Sequence, residues 1–181
     1  MLGWLLRRRI AAFGRRFDYD VRYMLDMVEV DATAALRLGR LTQLSGYRRA
    51  VPAAPWHAAH IRAALSEDCG PCVQLNVTMA ERAGVPGDLL RSVLGGDYAA
   101  LPEDVVLACR FADAILRHDA EVETLRPMIV ERWGRRGLLS LSLSTLAGRT
   151  FPAVKFALGH AQSCARVTVA GAPVTRLRHA A

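Results

Sequence analysis

No stretch of this chain runs through the roughly 18 to 20 consecutive apolar residues that a bilayer-crossing helix needs. The best runs, near Leu138 to Leu146 and Ala153 to Gly159, carry serines or Lys155, so a membrane-spanning reading is excluded. Lysine is nearly missing: 23 of the 24 basic residues are arginine. Acids are scarce at both ends. Residues 1–16 hold five arginines and no acid, and residues 126–181 hold nine basic side chains against Glu131, which leaves 17–125 at a net −6. There is no aromatic-interleaved basic strand and no zinc-finger spacing, and the arginine bias fits GC-rich coding better than phosphate reading. No nucleic-acid partner is expected from the overall charge of +7. A glycine-rich phosphate loop, a serine-nucleophile elbow, a paired-carboxylate motif, internal repeats and low-complexity tracts are also lacking.

The opening Met1-Leu-Gly-Trp-Leu-Leu-Arg-Arg-Arg9 places its arginines after a short apolar patch, the reverse of a secretory signal, and no small-residue cleavage site follows. A cytoplasmic protein is expected. Leu2, Trp4, Leu5 and Leu6 beside Arg7, Arg8, Arg9, Arg15 and Arg16 predict a basic amphipathic helix. It either docks on its own domain or a neighbouring subunit, or makes peripheral contact with an anionic membrane through residues 1–16.

What is present is a chain of 181 residues and 19.8 kDa, 52% apolar and 23% charged, enough for one folded domain and a short extension. Apolar residues recur at three- and four-residue spacing between prolines and glycines, which predicts an all-α bundle. One helical face runs through Val21, Met24, Leu25, Val28 and Ala32 toward Leu36 and Leu44. Further helices are expected from about Pro55 to Ser66, from Gly70-Pro71 to Gly84, from Pro86 to a Gly95-Gly96 cap, and from Pro102 through Leu116. The run Leu139-Ser-Leu-Ser-Leu143 alternates like a strand, but Leu139, Leu143 and Leu146 also share a helical face, and helix is favoured because no partner strand is visible. Phe151 to Arg166 predicts a last helix. The expected division is an N-terminal helical extension over 1–50, a domain over 51–166 and an irregular tail over 167–181.

Cysteines stand at 69, 72, 109 and 164. Cys109 shares an apolar stripe with Val105 and Ala112 and reads as a buried, inert thiol, and a core position is also favoured for Cys164. The pair in Cys69-Gly-Pro-Cys72 is different. Two thiols separated by two residues at a helix start can close a small disulfide reversibly. The positive helix end favours the thiolate, the form that attacks peroxides and disulfides. This chemistry requires both sulfurs to be reachable from solvent. Thioredoxins carry the same tetrapeptide, but they need a strand before it, where Ala63 to Asp68 reads as helical and then polar.

The region resembles the carboxymuconolactone decarboxylase and alkylhydroperoxidase D superfamily. The likeness is carried by Cys69-Gly-Pro-Cys72-Val-Gln-Leu-Asn76, by Ala80-Glu-Arg-Ala-Gly-Val-Pro86 and by the segment Pro102-Glu-Asp-Val-Val to Phe111-Ala-Asp-Ala-Ile115. It covers roughly residues 50 to 165 and implies an alkylhydroperoxidase D-like helical bundle that assembles as a homo-oligomer, with the Leu-rich 138–146 segment helping to bury the interface. By that likeness Cys72 passes through sulfenic acid and Cys69 is its disulfide partner and proton donor. The substrate is a peroxide or a partner disulfide, an external dithiol is the reductant, and no cofactor is needed.

Asn76 occupies the position of the family's histidine, and His57 falls on or near its glutamate. Asn76 cannot shuttle a proton. His57 or His60 is therefore the candidate base, with Glu67 or Asp68 orienting it. The alternative places His57, His60, Cys69 and Cys72 around a tetrahedral zinc ion, in a non-catalytic module that binds metal or senses redox state.

Overall fold

The computed structural model describes residues 2–160 and 167–174. The chain begins with α1 (Leu2–Phe17), α2 (Arg22–Val30), α3 (Ala32–Arg40) and the single turn α4 (Thr42–Ser45). The apolar face expected to run unbroken from Val21 toward Leu44 is thus cut in three. At the first break the Asp31 carboxylate accepts the Thr33 backbone N–H at 2.7 Å, an N-cap that starts a new helix where the spacing alone suggested continuation. α1 lies on its own chain, against α2 and α3. Leu2, Trp4 and Leu5 stay exposed beside Arg7, Arg8 and Arg9.

The bundle proper consists of α5 (Ala53–Ser66), α6 (Gly70–Arg82), α7 (Gly87–Gly95), α8 (Glu103–Arg117) and α9 (Val122–Ala157). Proline stands immediately before α5, α7 and α8, at Pro52, Pro86 and Pro102, where its fixed φ suits the entry to a helix. Gly96 closes α7 at φ 70°, the left-handed cap that glycine adopts without a side-chain penalty.

α5 is the axis around which the rest is laid. Its Ala58, Ala59, Ala63 and Ala64 have no solvent exposure, because short side chains let helices approach on every side. On one side Ile61, Leu65, Val73, Val77, Leu90 and Val105 join in a core shared by α5 to α8. On the other, Trp56, Phe111, Leu125, Ile129 and Leu141 fill the space between α5, α8 and α9.

α9 is helical through Leu139 to Leu143, as favoured, but it buries a different face. Leu139 and Leu146 are exposed, while Ser140, Leu141, Ser144 and Thr145 are buried. The serines are inside because they satisfy backbone groups. Ser140 Oγ accepts from the Arg49 N–H at 2.8 Å and donates to the Arg49 carbonyl at 2.9 Å, and Ser144 Oγ donates to the Trp56 carbonyl at 3.1 Å. The helix expected to start afresh at Phe151 is instead the continuation of α9, which ends at Ala157. The internal break lies earlier, at Gly134 (φ 67°, ψ 179°), a conformation open essentially to glycine alone.

The tail expected to be irregular carries a hairpin of β1 (Val167–Val169) and β2 (Ala172–Val174), antiparallel, with Val167 opposite Val174. Its turn residues Ala170 and Gly171 both have positive φ, the twist that tight hairpins prefer. The free edge is held by α6. Gln74 Oε1 accepts the Thr168 N–H at 2.7 Å, Gln74 Nε2 donates to the Thr168 carbonyl at 3.2 Å, and Glu81 accepts the Ala170 N–H at 2.7 Å. Val167 and Val169 then complete the first core. Cys164 lies outside the described residues. Among the described residues no helix is long and apolar enough to cross a membrane.

Candidate active site

Gly70-Pro71 starts α6 as the sequence suggests, with Cys69 as the residue before the first turn (φ −96°, ψ 91°) and Pro71 within it. This puts Cys72 in the first helical turn, where the unpaired N–H groups of the helix end favour negative charge. Cys69 and Cys72 are joined in a disulfide with their Cα atoms 5.3 Å apart.

Neither sulfur lies at an open surface. Cys69 is 0% and Cys72 3% exposed, which corrects the expectation of a solvent-facing pair. On the Cys72 side Tyr19, in the link between α1 and α2, brings its hydroxyl to 3.6 Å from Sγ, and Phe13 of α1 and Tyr23 of α2 line the same space. Cys72 instead opens onto a cavity of ≈ 190 Å³. Cys72 is the sulfur on that cavity, while Cys69 is not among the residues lining it, so the requirement that both sulfurs be reachable from solvent is not met in the disulfide form.

His57 and His60 of α5 line the same cavity, as does Asn76. The hydroxyl proton of Ser144 is committed to the Trp56 carbonyl, so the 3.3 Å contact between His60 Nδ1 and Ser144 Oγ has the imidazole N–H as donor. His60 is therefore the neutral Nδ1–H tautomer, with its lone pair on Nε2. Burial pushes His60 down to about 3 and His57 down to about 4. Both rings are neutral at physiological pH in the disulfide form. The His57 ring stands edge-on to Trp56 at 4.8 Å.

Glu67 does not orient either histidine. Its carboxylate accepts from Arg149 Nε at 2.7 Å, tying the end of α5 to α9. Asn76 Nδ2 donates to the Cys72 carbonyl at 2.9 Å, a contact inside the helix that fixes the amide on the cavity wall. Among the described residues no three His, Cys, Asp or Glu side chains form a cluster able to hold a metal ion, and the two sulfurs of the zinc alternative are here bonded to each other. Cys109 is a free, buried thiol pushed up to about 12, chiefly by burial, in accord with an inert role.

Three residues at the site escaped the sequence reading. Tyr19 and Tyr23 arrive from the N-terminal segment, and the Tyr19 hydroxyl lies 3.6 Å from Cys72 Sγ. Lys155 of α9 is 1% exposed, and its Nζ sits 5.0 Å from the Tyr19 ring centre and 5.5 Å from that of Tyr23. One signal pointed to it: it is the single lysine in an arginine-rich chain, set in the apolar run Phe151 to Ala157. Compared with known protein families, with curated proteins and with solved structures, the chain matches none.

Proposed function

We propose that this protein is a thiol–disulfide oxidoreductase of alkylhydroperoxidase D type, acting in the cytoplasm and cycling Cys69 and Cys72 between dithiol and disulfide. The observation that carries this reading is a bonded Cys-Gly-Pro-Cys pair at the start of a helix, with one of its sulfurs on a cavity. In the reduced protein the Cys72 thiolate attacks a peroxide oxygen. An S–O bond forms, the O–O bond breaks, and the departing oxygen takes a proton to leave as alcohol or water. The Cys69 thiol then attacks the sulfenic sulfur, closing the disulfide and releasing water.

An external dithiol returns two electrons to the pair and one proton to Cys69, its second proton going to solvent. Both electrons are held by sulfur, so the cycle needs no organic cofactor. The cavity is walled largely by aromatic and apolar side chains, which favours a small organic hydroperoxide or a slender dithiol over a bulky protein disulfide. Assembly with further copies of the chain belongs to the same proposal and is supported by the exposure of Leu139 and Leu146 on α9.

The test is consumption of an organic hydroperoxide with a small dithiol as donor. Turnover in the wild type that disappears in both Cys72→Ser and Cys69→Ser is the expected result. Equal rates in all three proteins would reject the proposal.

A further inference from the structure

The route by which Tyr19 reaches the disulfide is set by the end of α1. Asp18 turns the chain with φ 49°, and the Tyr19 N–H then donates back to the Gly14 carbonyl at 3.0 Å. Gly14 permits this close return, since a Cβ there would lie 3.0 Å from the Tyr19 carbonyl oxygen and 3.1 Å from Val21. The Tyr19 ring packs edge-on against Phe13 at 6.0 Å, which directs its hydroxyl at Cys72. A disulfide sulfur carries no hydrogen, so in the 3.6 Å contact the Tyr19 O–H is the donor.

Behind this contact lies a buried cation with no hydrogen-bond partner. Among the described residues, Lys155 Nζ is a buried side-chain polar atom that lacks one, whereas the Tyr23 hydroxyl interacts with that of Tyr19. Lys155 instead faces the π surfaces of Tyr19 and Tyr23, and Asp20 acts on it at longer range. A buried, unpaired ammonium is costly, and cation–π contacts offset only part of that cost. Its placement against two phenols, one of which touches the reactive sulfur, gives it a chemical use.

We infer that Tyr19 is the hydrogen-bond donor that stabilises Cys72 as a thiolate, and that Lys155 is a positioning residue whose charge behind the phenol ring makes Tyr19 a stronger donor. This rests on the proposed redox cycle only in taking Cys72 as the reacting sulfur. It assigns this role to the N-terminal segment, whose Tyr19 hydroxyl lies 3.6 Å from Cys72 Sγ. Tyr19 is well suited to it. Burial pushes its hydroxyl up to about 12, so the proton stays on oxygen throughout.

During reduction the first donor thiolate attacks Cys72 Sγ, the S–S bond breaks, and its electron pair goes to Cys69, which takes the proton released by the donor. The second donor thiol gives its proton to solvent, its thiolate attacks the donor sulfur of the mixed disulfide, and the electron pair of that bond goes to Cys72. The donor departs as its disulfide. Cys72 departs as a thiolate that accepts from Tyr19 O–H. The titratable groups around it are Tyr19 and Tyr23 on the N-terminal side, His57 and His60 on α5, and Lys155 on α9 with Asp20 beyond. Burial lowers the Lys155 ammonium from its ordinary range, Asp20 works against that, and Arg22 stands beyond as a further positive charge.

The experiment is the pH profile of Cys72 alkylation by iodoacetamide in the fully reduced chain, with Cys109 and Cys164 replaced by serine and the labelled site located by mass spectrometry. Tyr19→Phe keeps the ring and removes the hydroxyl. It is expected to move the inflection up by about one pH unit or more, which slows alkylation about tenfold at neutral pH. Lys155→Met is expected to move it the same way while the denaturation midpoint holds or rises, because an unpaired buried charge is removed. That separates an electrostatic role from a packing role. A wild-type profile in Tyr19→Phe overturns the inference, and a wild-type profile in Lys155→Met overturns the part assigned to the lysine. Shifted profiles in a protein that consumes no hydroperoxide would reject the proposed substrate and sustain the donor role of Tyr19.

Discussion

Arg62 on α5 grips Asp113 on α8 with two parallel bonds, Nε to Oδ1 at 2.9 Å and Nη2 to Oδ2 at 3.1 Å, with 3% and 5% of the two side chains exposed. The Tyr98 hydroxyl donates to the same carboxylate, and Arg62 also donates to the Val93 carbonyl at 3.4 Å. The pair therefore pins α5, α7 and α8 from within. Replacing both charges by apolar groups can be nearly neutral, but removing one leaves the other buried and unpaired. Asp113→Ala is expected to lower the unfolding free energy by about 3–5 kcal/mol. Tyr98→Phe, which leaves the ion pair intact, should cost less, about 1.5–3 kcal/mol. Urea denaturation of the two variants checks the ordering.

Gly148 lets α9 pass directly against the backbone of α5. A Cβ at that position would lie 2.6 Å from the His60 carbonyl oxygen and 2.7 Å from Ala63 Cβ, neither of which can swing aside. Gly148→Ala must push the two helices apart, and overpacking of this kind costs about 1–3 kcal/mol. The displacement is centred on His60, so reactivity should suffer along with stability. A lower denaturation midpoint together with a changed Cys72 alkylation rate is expected, and a midpoint equal to wild type would show the crossing to be looser than the distances say.

The parts of this fold that could be read from the chain are those decided by neighbours in sequence. Pro86 and Pro102 announce α7 and α8, Gly96 ends α7, and Cys69-Gly-Pro-Cys72 opens α6, because proline and glycine act on their own backbone. The Tyr19 to Cys72 contact joins residues 53 positions apart, and no local pattern reveals it. The hairpin at 167–174 was hidden for a related reason: its edge pairs with the side-chain amide of Gln74, 94 residues earlier. In α9 the misleading signal was hydrophobicity itself. Ser140 and Ser144 are inside because backbone groups of Arg49 and Trp56 needed partners, and the leucines between them divide between core and surface.

Acid should destabilise the folded protein through its histidines. Ordinary imidazole takes a proton near 6.5, whereas burial holds His57 to about 4 and His60 to about 3 in the folded state. Between these limits the unfolded chain binds more protons, so stability falls as pH drops from about 6.5 toward 4 and levels off for each ring below its folded value. The slope contributed by each ring approaches about 1.4 kcal/mol per pH unit. Denaturation midpoints measured from pH 7 to 4 are expected to fall steeply in the wild type and less steeply in a His57→Gln, His60→Gln double variant. Parallel curves would place the acid sensitivity elsewhere.

Leu139 and Leu146 lie seven residues apart on α9, two helical turns along one face, and are 48% and 54% exposed. Burying such a pair against a second copy recovers the hydrophobic free energy that each monomer leaves in water. If this face is the contact between subunits, a glutamate at either position places a charge in its centre, where truncations and charges cost most. Leu139→Glu and Leu146→Glu are expected to weaken self-association about tenfold or more in sedimentation equilibrium. Val30→Glu, at an equally apolar site on α2 that is 87% exposed, should leave it unchanged. A wild-type chain that sediments as a monomer would remove the proposal of assembly, and an oligomer indifferent to both leucine variants would move the contact off α9.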